Sequence, residues 1–567
     1  MRMHQTMLLG VATVVAIAAC GPAPAREAPS STSASAPIAT APKRLVAAVM
    51  SDLPVLYAKV HTTGGTPGLD AMGDIVGAGM VRADGDVNIL PQLAAAVPSV
   101  DNGLWKLMPD GTMEVTWRIR EGTQWHDGTP FTADDLVFTA TVVRDRELPT
   151  FRDTSFQYLD RVEAVDARTA RAIWRQPFAF ANSLFSMQLA LPMPKHILER
   201  DYQEAKESFI DLPYWSTEYV GAGPFKVREF VRSRHIMLDA HVTYPLGKPK
   251  FDVIELRFIP DPQGLVANLL AGEVDVTVGR SISLDEAIPM MDTWRDGAFA
   301  KGFARYVRIS AQFQNPNPAV IANLQFRRAL LHAMDRQQMV DTLEYGLSSV
   351  AHTSLPPTRP EWREVDNRVI RYDYDLARSA RMIEELGYVR GPDGFFVDAA
   401  GRPLSVELRS TASPTLSKAQ LAVADGWQRG GVRVDAIPVP QQLVQNREYR
   451  VLRPGFQLVG STLDPNELTA FHTSQLPRPE TNYVGSNEPL YSSAEYDSLI
   501  ERYLVTIPDR ERHSVLTDMA SHLVEHLPFY TLFYDIEPTM IANKLQNVGP
   551  RRQPATQAWN IHEWDVK

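Results

Sequence analysis

Trp125-His126-Asp127-Gly128-Thr129-Pro130-Phe131-Thr132-Ala133-Asp134-Asp135-Leu136-Val137-Phe138-Thr139 reads as the end of a strand, a tight turn and the start of a helix. Just upstream, Glu114-Val115-Thr116-Trp117-Arg118-Ile119-Arg120 alternates polar and apolar side chains, the period-two pattern of a half-buried strand. Asp127-Gly128 supplies the turn. Thr132 is a good capping residue, and Asp134 and Asp135 fall in the first helical turn, where the helix dipole favours negative charge.

Working outward, strands and helices alternate along the chain. Leu45 to Met50 is a short apolar strand that opens the folded part. The loop His61-Thr62-Thr63-Gly64-Gly65-Thr66-Pro67-Gly68 is polar and glycine-rich, suited either to face a ligand or to turn the chain. In Val220-Gly221-Ala222-Gly223-Pro224-Phe225-Lys226-Val227 the glycines allow close backbone approach and Pro224 stiffens the exit, for a buried turn or for ligand contact. Residues 249–260 form a strand, and Leu265 to Ala271 a helix that Gly272 can cap before a parallel strand. Phe326 to Arg336 carries apolar residues at helical spacing and reads as one amphipathic helix with His332 on its face. Leu404 to Arg409, Leu416 to Arg429 and Val432 to Ile437 follow in β-α-β order, which implies a parallel sheet.

The ends and the composition bound the function. Met1 to Ala19 reads as an export signal, with Arg2 in its n-region and an apolar run too short to span a bilayer comfortably. Cys20 is the only cysteine in 567 residues, so no internal disulfide can form. Residues 21–42 are rich in Pro, Ala, Ser and Thr and bury too little to fold, as expected of a solvated tether. A chain of this length needs two or three cores. Its formal net charge of -10 is spread without a basic stretch, which argues against nucleic acid as a partner.

One catalytic pattern stands out. His522-Leu523-Val524-Glu525-His526 spells H-x-x-E-H, the inverted zincin signature, which on a helix places both histidines on one face. With 13 histidines such a match arises by chance on the order of once in a hundred sequences, and spacing identifies no third ligand. No G-x-S-x-G elbow, P-loop or dinucleotide fingerprint occurs. The expectation is therefore no enzyme, no resident metal and no cofactor.

The run TWRIREGTQWHDGTPFTADDLVFT closely resembles the signature of the oligopeptide, dipeptide and nickel-binding family of extracytoplasmic solute receptors, family 5, which serve ABC importers. The segments 92–98, 220–227, 272–276, 326–336, 374–388, 527–533 and 559–564 resemble further family patterns in the family's order. Ile17-Ala18-Ala19-Cys20 is similar to a bacterial lipobox, in which Cys20 is acylated. The resemblance implies an α/β fold: a two-lobed clamshell of the periplasmic-binding-protein type II class with an additional inserted subdomain. The division it implies is signal 1–19, lipidated Cys20 and tether to 42, lobe I over 43–305 with an insert at about 81–210, lobe II over 306–528, and a return to lobe I over 529–567. Ligand is expected between the lobes, with Thr63, Gly64, Ala222, Gly223, Arg409, Ser461, Thr462 and Asp464 as candidate contacts. Peptide receptors of the family carry an Asp for the peptide amine about three residues before the Asp of Asp464-Pro465, and here that position is Ser461. A hydroxyl cannot replace the charge-assisted bond an ammonium requires. The resemblance implies a monomeric, lipid-anchored receptor outside the cytoplasm that passes a peptide-like solute to a permease and its ATPase. The alternatives are a nickel chelate, a sugar or another small polar solute, or a sensor or chaperone lipoprotein without transport.

Overall fold

The computed structural model describes residues 41–567 apart from 62–65, 87, 152 and 412. The signal and lipobox readings, Cys20, Thr63 and Gly64 lie outside the described residues. Among the described residues no helix is long and apolar enough to cross a membrane.

The strand–turn–helix at the signature forms through local chemistry. Strand Met113–Arg118 buries Met113, Val115 and Trp117 on one face, as the alternation requires. Asp127 accepts from the Thr129 N–H at 2.9 Å, and Gly128 adopts φ 89°, the left-handed turn conformation open to glycine. Helix Ala133–Arg144 then starts at Thr132 in a reciprocal capping box with Asp135. Asp135 does more than answer the dipole. It is buried, and it also takes the Trp125 indole N–H at 3.2 Å and the Lys195 backbone N–H at 2.9 Å. Burial raises its carboxyl above the ordinary range. The helix packs against a small antiparallel sheet ordered Trp105–Leu107, Met113–Arg118, Thr169–Trp174, Leu159–Asp166.

A ten-stranded sheet runs through the described residues in the order Arg433–Val439, Ser405–Thr411, Phe456–Ser461, Gly297–Ala311, Phe529–Ala542, Val276–Thr277, Arg44–Val49, Val253–Phe258, His235–Ala240, Phe225–Val231. One end is built on Arg44–Val49, parallel to both of its neighbours. The other is built on Ser405–Thr411, also parallel to both of its neighbours. Gly297–Ala311 and Phe529–Ala542 join the two ends as a long antiparallel pair whose register slips between Phe303 and Arg305 and again between Val307 and Arg308. Such bulges bend and twist a strand pair. Cores lie on both sides of the join: one around Trp117, Trp174 and Trp215, another around Trp427, Phe456 and Tyr530. The result is a two-lobed α/β clamshell.

Two readings from periodicity need amendment. Phe326 to Arg336 is not one helix: Leu324–His332 ends, and Arg336–Leu343 begins with Asp335 capping the Gln338 N–H at 2.9 Å. The buried Arg336 guanidinium reaches the carbonyls of Ala351, Tyr372 and Thr531, a demand that apolar spacing does not reveal. His332 is buried rather than simply on a helix face, with Nδ1 2.6 Å from the Asp373 carbonyl.

Candidate functional site

The seam between the lobes gathers the charged side chains. Strand Phe456–Ser461 ends there, followed by Thr462, Leu463 and a short turn of 3-10 helix, Pro465–Phe471, capped by Asp464. The Ser461 hydroxyl accepts from Arg308 Nε at 2.5 Å, and Arg308 Nη1 donates to Ser310 Oγ at 2.5 Å. The same guanidinium lies 3.7 Å from Glu467 and about 5 Å over the rings of Phe471 (5.4 Å) and Phe529 (5.1 Å). Burial pushes the Glu467 carboxyl up to about 7 against the opposing pull of Arg308.

Beside this cluster, charges of both lobes face one another. Asp464 accepts from the Asn466 N–H at 2.9 Å. Burial raises its carboxyl, Arg359 of the same lobe lowers it, and Asp153 raises it across the seam. Lys59 of the first lobe is held below the usual ammonium range by burial, with Asp153 acting against that shift. Arg359 is itself fork-bonded to Glu361 at 2.9 and 3.2 Å. Asp153 thus links Lys59 on one side of the seam to Asp464, which Arg359 also reaches electrostatically, on the other.

At the join the charges are denser. Arg305 pairs with Asp535 at 2.5 Å, and burial together with Asp535 raises the Glu344 carboxyl. Burial and the charge of Arg305 lower the Arg280 guanidinium. Gln553 ties both sides: its Oε1 accepts from Thr462 Oγ1 at 2.6 Å and the Leu463 N–H at 3.0 Å, and its Nε2 donates to the Ala304 carbonyl at 2.8 Å. The lobes also touch at the rim. The Ala179 N–H donates to the Leu504 carbonyl at 2.7 Å, and Phe180 meets Tyr503 at 5.5 Å with Arg512 over its ring. Elsewhere along the seam Asp285 accepts from Tyr345 at 2.9 Å and pairs with Lys418. Contacts between the lobes thus run along the seam from the join to the rim.

Ser461, Thr462 and Asp464 therefore come together on the seam. Ala222 and Gly223 do not, and the turn reading rather than the contact reading fits them. A Cβ on Gly221 or Gly223 would lie 2.0 Å from the Val76 carbonyl oxygen or 2.5 Å from that of Gly77, so the turn is locked onto the chain at 76–77. The Gly223 carbonyl already accepts from His126 Nε2 at 3.1 Å and is met by His241 Nδ1 at 3.0 Å. Arg409 is likewise engaged within its own lobe, by Glu407 at 2.5 Å, the Tyr449 carbonyl at 2.8 Å and the Tyr449 ring. Sequence reasoning missed Lys59, Asp153, Arg280, Arg359 and Gln553. Each is a single residue on a separate segment, and no spacing rule links them.

Two α/β lobes, joined by a pair of long antiparallel strands and meeting along a charged seam, are the architecture of a solute-binding protein. The chain belongs to the bacterial extracellular solute-binding proteins, family 5, whose middle-region model matches residues 90–475. It is 24% identical over 504 residues to the oligopeptide-binding protein AppA of Bacillus subtilis, covering 86% of this chain and 85% of that relative. The solved structure of AppA in complex with a nonapeptide aligns with a TM-score of 0.74 at 21% identity, over 93% of this chain and 100% of AppA. NikZ from Campylobacter jejuni, solved in complex with Ni(L-His), aligns with a TM-score of 0.74 at 20% identity, over 92% of this chain and 99% of NikZ.

Proposed function

We propose that the protein is a monomeric receptor that captures a peptide-like solute between its lobes and hands it to the permease of an ABC importer, without a chemical step. On this reading an acyl group on Cys20 and the tether that follows keep it at a membrane surface outside the cytoplasm. The observation that carries the solute class is Asp153, which couples electrostatically to Lys59 on its own side of the seam and to Asp464, beside Arg359, on the other. A zwitterion supplies an ammonium for the carboxylates and a carboxylate for the cations, and it touches both lobes at once. A ligand that does so favours the closed state by its differential contacts. Binding of a nonapeptide by AppA agrees with this reading.

A second reading has a specific observation behind it. Ser461 stands where peptide receptors carry an amine-binding Asp, and its hydroxyl is taken by the Arg308 guanidinium. That places a cation at the position and suits a solute without a free ammonium, such as a metal chelate or a sugar.

Thermal denaturation with panels of short peptides, nickel chelates and sugars separates the two. The peptide reading expects peptides to raise Tm by mass action. It also expects Asp464→Asn to weaken them about tenfold, the loss of one charge-assisted bond of roughly 1.5 kcal/mol. Silence toward peptides with a clear shift from a chelate or sugar would transfer the protein to the second reading.

A further inference from the structure

The H-x-x-E-H stretch finds its missing partner in the fold. Helix Asp509–His526 packs against helix Ala494–Val505, and Glu495 in the first turn of the latter meets the two histidines. One ligand atom each from Glu495, His522 and His526 lie within 4.8 Å of one another. His522 Nδ1 is 3.7 Å from Glu495 Oε2. Two ligands about 2.1 Å from a tetrahedral ion stand about 3.4 Å apart, so small side-chain adjustments close the set. The imidazoles, one helical turn apart, stack with centroids 4.0 Å apart and planes 18° from parallel. Glu525 is exposed and not part of the group, so the carboxylate base of the inverted zincin pattern is not assembled.

The surrounding hydrogen bonds orient the rings for ligation. A carbonyl only accepts, so His526 Nδ1, 2.9 Å from the His522 carbonyl, carries the proton and Nε2 keeps its lone pair. His522 Nε2 sits 2.8 Å from the Tyr491 hydroxyl, which leaves Nδ1 on the side of Glu495. Partners of this kind fix the tautomer of metal-binding histidines. The site also lies at a helix C-terminus, where the dipole favours a cation. The Glu495 side chain, 75% exposed, opens it to solvent.

From this geometry we propose that Glu495, His522 and His526 form a binding site for a divalent first-row transition ion, with zinc as the best match to two imidazole nitrogens and one carboxylate oxygen. The site is separate from the solute seam. Glu495 lies about 12 Å along its helix from Tyr503, the residue that meets the other lobe. A bound ion ties the start of one helix to the end of the next and stiffens the hairpin that carries Tyr503 and Leu504 to the rim.

The test uses the full chain, free of any histidine tag and stripped of metal, titrated with zinc chloride alone. One zinc per chain and a raised Tm are expected. Glu495→Gln and His526→Ala, both on side chains with access to solvent, should each weaken zinc at least tenfold while solute binding by Glu495→Gln stays unchanged. Cobalt substitution should give visible absorption bands that both variants lose. Absence of binding at micromolar zinc, or equal affinity in both variants and the parent, would overturn the site.

Discussion

Ser461 shows how a neighbouring cation commands a position on the seam. Its hydroxyl accepts from Arg308, whose guanidinium also reaches Ser310 and lies near Glu467 between two aromatic rings. A carboxylate introduced here meets that guanidinium first, because a buried cation in hydrogen-bond reach outcompetes a solute that must be desolvated to arrive. Ser461→Asp should therefore leave peptide affinity within about twofold of the parent, although it adds the carboxylate that the family resemblance leads one to expect for a peptide amine. Isothermal titration with one tight peptide decides it, and a tenfold gain would mean that Arg308 does not command the position. Arg409 carries the same lesson. The resemblance offered it as a ligand contact, but Glu407 and Tyr449 hold it within its own lobe. Partners of a single charged side chain are set by tertiary packing and are not written in its neighbours along the chain.

Among elements, the turn at 220–224 depends on a histidine that stays neutral. His126 is pushed down to about 3 by burial and by the charge of His241, while its Nδ1 accepts from the Gly221 N–H at 3.1 Å and its Nε2 donates to Gly223. Unfolded, the ring titrates near 6.5. Between 6.5 and about 3 the unfolded chain binds a proton that the folded chain refuses, so stability falls as pH drops through this window. Tm measured from pH 7 to pH 4 should fall. In His126→Gln that acid slope should flatten by up to about 1.4 kcal/mol per pH unit, from a lower Tm at pH 7. An unchanged slope would show that His126 is not the group refusing the proton. The elements themselves were readable to different degrees. The strand, turn and helix from 113 to 144 are marked by local signals: alternation, Asp-Gly, and Thr132 with Asp135 three residues on. The parallel unit from 405 to 439 was equally plain, since its period switches from two to 3.6 and back. The break at Asp335 was hidden under an apolar period that runs through it. Ala222 and Gly223 stayed ambiguous because what they pack against, the chain at 76–77, lies far upstream.

For the whole molecule, the decisive feature is that both lobes share one bent strand pair, and that a side chain outside the pair reads its bend. The pairing of Gly297–Ala311 with Phe529–Ala542 slips between Phe303 and Arg305, and the carbonyl of the intervening Ala304 accepts from Gln553. The same amide holds Thr462 and the Leu463 N–H, the segment that leads into Asp464. Gln553 thus joins the bulge to the seam edge of the second lobe, and any rotation of the lobes about the bulge must stretch these bonds. Each neutral hydrogen bond contributes about 1 kcal/mol net, so together they bias the closed state by roughly 2–3 kcal/mol. Gln553→Ala should release that bias. Its solute-free scattering profile should show a larger radius of gyration than the parent, and saturating solute should return it to the compact form, because solute contacts shift the same equilibrium. Affinity should fall in proportion to the lost closed population, by about ten- to a hundredfold, while Tm without solute changes little since neither core is touched. A variant as compact as the parent without solute would place the closing force in the rim contacts of Phe180, Tyr503 and Leu504 instead. Phe180→Ala would then be the variant that opens.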